Sequence, residues 1–148
     1  MHAQFMPDAA RVDRPPYVWF AIVLEVFTAI GAIPVGLMFL ADPSGQLVQV
    51  PRGWIEATVF GSYIVPGLYL LLVNGLGMLV LAFLSFRCHW LAPWLTGTLG
   101  VGLIVWILVE ILLLPETMVL TWVFLVTGLV LGFIALFWLR RTGQLKLW

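Results

Sequence analysis

The run YVWFAIVLEVFTAIGAIPVGLMFL, residues 17–40, decides the class of fold. A helix needs about 20 consecutive apolar residues to cross the hydrocarbon layer of a bilayer, and this run supplies them around one charged side chain, Glu25. Three further runs have the same character: 63–86 (YIVPGLYLLLVNGLGMLVLAFLSF), 91–114 (LAPWLTGTLGVGLIVWILVEILLL) and 118–139 (MVLTWVFLVTGLVLGFIALFWL). Transmembrane barrel strands would be about half as long and would alternate in polarity, which these runs do not. The expected fold is an all-α membrane protein, with four transmembrane helices in an antiparallel bundle.

Composition agrees. The 148 residues are 63% hydrophobic and 9% charged, where soluble domains carry roughly a quarter of charged residues. Lysine plus arginine number 7 and aspartate plus glutamate 7, so no basic face is available for nucleic acid. A single cysteine, Cys88, cannot form an intramolecular disulfide, and no Cys/His spacing matches a zinc or haem attachment motif, so no metal is expected.

The domain organisation follows from the runs. Residues 1–16 (MHAQFMPDAARVDRPP) read as a short, poorly ordered tail, with Pro15 and Pro16 leading into the first helix. The apolar run behind it is too long for a signal-peptide core. Residues 17–140 form the transmembrane domain and 141–148 a second short tail. RCHW and PET are tight turns between helices, whereas 41–62 is a longer connection.

Basic residues set the expected orientation, because lysine and arginine are retained on the cytoplasmic side during insertion. Arg11, Arg14, Arg87, Arg140, Arg141 and Lys146 fall on one side of the spans and Arg52 alone on the other. Both termini are therefore expected in the cytoplasm, with the 41–62 loop on the trans side beside Glu116. In that loop, ADPSG has the chemistry of a turn. PRGWIEATVF, residues 51–60, sets Trp54, Ile55, Val59 and Phe60 among polar residues and predicts a short interfacial helix, with an irregular loop as the alternative.

Lipid is as apolar as leucine, so helices in a bilayer associate through small residues and shared hydrogen bonds. Stripes of such residues recur at helical spacing: Ala21, Glu25, Thr28, Ala29, Ala32 and Gly36; then Tyr63, Gly67, Asn74, Gly77 and Ser85; then Thr121, Gly128, Gly132 and Ala135. The third run has TGTLGVG in its first half. Glu25 lies on its stripe, so it points into protein. At 1.5 Å per residue, Glu25 and Asn74 lie about 12 and 18 Å from the cytoplasmic ends of their helices, which predicts a contact between a neutral Glu25 and Asn74. Glu110 lies near the trans end of its run. Its expected partner is Arg52, with Trp106 packed one turn below.

Intramembrane acids mark ion paths or substrate sites as a rule, and the alternative is that they join helices to one another or to a larger complex. With no basic partner at the depth of Glu25, the structural alternative is the stronger reading. Gly97, Gly100 and Gly102 imitate a nucleotide loop, but no strand precedes them, and close helix packing explains them. Cys88 and His89 are sequence neighbours that diverge by about 100° on a helix, and His2 is the one other histidine, so neither a metal site nor a bis-histidine haem is expected. No grouping suggests hydrolysis, and no catalytic residue is assigned. Trp19, Trp54, Trp90, Trp94, Trp122, Trp138 and Trp148 sit near span ends, as interfacial belts require. No cofactor is predicted; a bound lipid, quinone or pigment is the sharper reading of the aromatic surplus.

DPSG at 42–45, PG at 66–67, the RxxxxAxxL pattern from Arg87 to Leu95 and the WIxxE pattern from Trp106 to Glu110 together resemble a broad set of small, uncharacterised bacterial four-helix integral membrane proteins. The resemblance implies the fold and a bacterial inner membrane. The chain is also similar in size and span count to the DoxX-like proteins, a likeness of topology alone. Three functions remain open: a non-enzymatic structural or accessory subunit of a membrane assembly, homo-oligomeric or larger; an oligomeric proton-coupled carrier or channel using Glu25 or Glu110; and a lipid-active membrane enzyme.

Overall fold

The computed structural model describes residues 14–56, 58–114, 116 and 118–144. Arg11, Lys146, His2, Trp148 and most of the expected N-terminal tail lie outside them, as do two residues of the PET turn. Among the described residues there is no strand. Four long helices, Pro16–Ala41, Ile64–Phe86, Ala92–Leu113 and Val119–Arg141, pack against one another. All four are long and apolar enough to cross a membrane, with mean hydropathy between 2.1 and 2.5. They are called here the first to fourth spans.

Prolines start two of the helices, where a missing N–H costs nothing: Pro16 opens the first and Pro93 falls in the first turn of the third. The fourth ends on Arg140 and Arg141, whose charges favour the negative end of the helix dipole. Arg14, Arg87, Arg140 and Arg141 gather at the end of the bundle where the described residues begin and end, which we call the terminal face. Arg52 lies at the opposite end, the loop face. There the Asp42 carboxylate accepts hydrogen bonds from the Ser44 hydroxyl (2.6 Å) and amide (3.1 Å) and from the Leu47 amide (3.1 Å). These bonds, the Ser44 hydroxyl first, hold its pKa below the usual carboxylate range.

The second span is irregular in the middle. Residues Leu70–Gly77 (LLLVNGLG) form a π-helical stretch between α-helical segments, a widening found mainly as local insertions in helices. Asn74 lies within it, and Gly75 brings the backbone so close to the first span that a Cβ there would stand 2.7 Å from Ile33.

The stripes face inward. Ala21, Glu25, Thr28, Ala29, Ala32 and Gly36 are all buried, while Val23 and Ile30 on the opposite side are 60% and 65% exposed. Gly36 lies against the backbone of Gly67 and Leu71, and Gly100 against that of Gly128 and Gly132, so the first and second spans and the third and fourth form the tightest pairs. Two of the glycines expected to pack behave differently. A Cβ on Gly77 would stand 3.2 Å from the Leu72 carbonyl oxygen of its own helix and only in ordinary contact, at 3.8 Å, with Leu99 of another span, and one on Gly132 would meet nothing within 4 Å. At Gly132 it is the backbone, not the missing side chain, that receives the neighbouring helix.

The helix in the long connection is shorter than the sequence suggests, Arg52–Glu56. It ends where the Thr58 amide and hydroxyl both bond to the Ile55 carbonyl, a local capping that stops the helix. Ile55 is 3% exposed and packs with Phe39 and Tyr63, whose rings stack at 4.5 Å. The connection thus folds back over the bundle end and covers the interior there.

Candidate functional site

Glu25 is fully buried. Its Oε1 accepts hydrogen bonds from Ser85 Oγ (3.2 Å) and Thr96 Oγ1 (3.0 Å), which ties the first span to the second and third at one point. The expected Asn74 contact does not form. Side chains on a helix lean toward its N-terminus. In antiparallel neighbours, Glu25 therefore leans toward the terminal face and Asn74 toward the loop face, so an axial offset of about 6 Å widens instead of closing. Ser85 leans toward Glu25 and meets it. Oε2 of Glu25 is buried with no hydrogen-bond partner among the described residues.

Glu110 is half-buried, and its Oε1 accepts a hydrogen bond from Thr121 Oγ1 at 2.8 Å, joining the third span to the fourth. The expected Arg52–Glu110 pair is replaced by Arg52–Glu56, 2.7 Å apart and one helical turn away, with side chains 67% and 52% exposed. A partner at i+4 in solvent requires no long reach and no desolvation of the guanidinium. Trp106 packs against Tyr69, ring to ring at 4.5 Å, and the Tyr69 hydroxyl donates to the Gly102 carbonyl at 3.0 Å.

Glu110, Thr121 and Trp106 border a cavity of about 190 Å³ in the loop-side half of the bundle, roofed by Trp54 and Ile55 of the short helix. Its walls are apolar and aromatic, with Phe39, Tyr63, Trp106 and Phe124 among them, and all four spans contribute. Asn74 lines it too. The side chain is 1% exposed, and neither Oδ1 nor Nδ2 has a hydrogen-bond partner among the described residues. Buried carboxamides are nearly always paired, so this one stands out.

No family model, curated protein or solved structure matches the chain.

Asn74 and Glu110 border the same cavity and Glu25 stands apart from it, toward the terminal face. Arg52 does not line it. Ser85 and Thr96, the partners of Glu25, are what the sequence reading missed; the signal was a hydroxyl on each neighbouring span near the depth to which the carboxyl leans. Among the described residues no group of three or more His, Cys, Asp or Glu side chains could hold a metal ion. Cys88 occupies the turn between the second and third spans with φ +47°, and His89 Nδ1 accepts the Leu91 amide at 3.3 Å, so both serve the turn.

Proposed function

We propose that this protein is a non-enzymatic structural or accessory subunit of a membrane assembly, built as a rigid four-helix scaffold. The observation that carries the reading is the use of its intramembrane carboxyls. Each accepts hydroxyls from other spans, Ser85 and Thr96 at Glu25 and Thr121 at Glu110, so both act as bonds between helices. The scaffold presents a nearly continuous apolar exterior to lipid and to neighbouring membrane proteins. The arginines gathered at the terminal face support an orientation with both termini cytoplasmic, and a bacterial inner membrane rests on the sequence resemblance.

Two measurements test this. In purified protein, Glu25→Gln should keep the stability of the bundle to within about 0.5 kcal/mol, because an amide oxygen still accepts both hydroxyls, whereas Glu25→Leu should cost about 1 to 2 kcal/mol. A carrier reading draws on the unpartnered Oε2 of Glu25. It would displace the scaffold if wild-type protein in proteoliposomes carried a proton flux that Glu25→Gln abolished without loss of fold. For orientation, cysteines introduced at Ser44 and Gln144 in a Cys88→Ser background should label from opposite sides of the membrane, Ser44→Cys from outside. Labelling of Ser44→Cys from the cytoplasm alone would invert the topology.

A further inference from the structure

We infer that the loop-side cavity is a binding site for a small, neutral, ring-bearing molecule with a hydroxyl group, held by the carboxamide of Asn74. This goes beyond a scaffold role and does not depend on it. The four hydroxyls that line the cavity already donate within the protein. Thr28 donates to the Leu24 carbonyl (2.8 Å), Thr58 to Ile55 (2.8 Å), Tyr63 to Pro51 (3.4 Å) and Thr121 to Glu110 (2.8 Å). Asn74 borders the cavity with both its donor and its acceptor unpartnered; the two polar atoms are occluded in this structure, so the carboxamide must turn toward a ligand to bind it. The residue is held at the cavity by the π-helical stretch, a backbone irregularity frequent at functional sites.

The chemistry of the walls narrows the ligand. An engineered cavity of about 150 Å³ lined by apolar side chains takes up benzene, so about 190 Å³ suits one ring with a short substituent and excludes a whole lipid. Phe39, Tyr63, Trp106 and Phe124 offer ring faces and edges for such a body. Glu110 and Glu116 border the cavity, and no basic side chain among the described residues does, which disfavours an anion. A carbonyl alone would satisfy Nδ2 and leave Oδ1 orphaned. A hydroxyl accepts from Nδ2 and donates to Oδ1, pairing both.

Asn74 is the one asparagine of the chain, so selective labelling of asparagine with nitrogen-15 gives a single side-chain amide signal to follow. The full-length protein in lipid nanodiscs would be titrated with 4-ethylphenol and with ethylbenzene, both concentrations expressed as mole fraction in the lipid. The phenol should shift the Asn74 amide pair and bind roughly tenfold more tightly than ethylbenzene, the discrimination worth about one buried neutral hydrogen-bonding group. In Asn74→Leu the two ligands should bind within about twofold of each other. Equal affinities in the wild type, binding of neither ligand, phenol binding that leaves the amide signal unmoved, or a phenol preference that survives in Asn74→Leu would each overturn the inference. Should Asn74→Leu fail to fold, the amide shift and the affinity ratio of the wild type decide it alone.

Discussion

Replacing Gly36 with alanine is expected to destabilise the bundle by about 2 kcal/mol, whereas Gly132→Ala should be neutral or stabilising by up to about 1 kcal/mol. The difference comes from what a new methyl would meet. At Gly36 it would stand 2.8 Å from the Leu71 amide nitrogen and 2.9 Å from the Gly67 carbonyl oxygen, backbone atoms that move only if the first and second spans separate. At Gly132 it would meet nothing within 4 Å, and alanine is the better helix former. Reversible unfolding in mixed micelles measures both. Equal costs at the two positions would show that the close approach of the first two spans does not hold the bundle together.

The second large effect has the opposite sign: Asn74→Leu should stabilise the ligand-free protein by about 2 kcal/mol. A carboxamide buried without partners forfeits its hydration and gains nothing in return, and a leucine of similar size removes that penalty while filling the same space. Glu25→Leu, at a residue equally deep but hydrogen-bonded twice, should instead destabilise. Two buried polar residues of one core are thus expected to respond in opposite directions to the same kind of substitution. A loss of stability in Asn74→Leu would mean that the carboxamide has a partner inside the protein, and the binding role inferred for it would fall with that result.

The inward faces were legible because small and polar residues cannot gain from lipid contact. Glu25, Thr28 and Gly36 share a face by helical spacing alone, and all three are buried. Asn74 was legible as an interior residue for the same reason. Its partner was not, since pairing depends on the direction in which each side chain leans and on the axial offset of antiparallel helices, quantities that residue counting recovers only to about a turn. Glu110 shows the same limit. Its depth pointed to the loop arginine, yet Arg52 found Glu56 one turn away, and a threonine on the adjacent span took its place.

By itself the sequence determined that the chain forms four apolar helices, where the turns between them fall, and which stripe of the first, second and fourth turns away from lipid, because these follow from local periodicity and the cost of polar groups in hydrocarbon. Only the tertiary structure decided that Glu25 meets Ser85 and Thr96, that the 41–62 connection folds back to roof the bundle, and that a cavity forms beneath it with an unpartnered asparagine. Those outcomes rest on the relative shift and rotation of whole helices, set jointly by the close glycine contacts and by the widened turn at Leu70–Gly77, and no single segment of sequence encodes them.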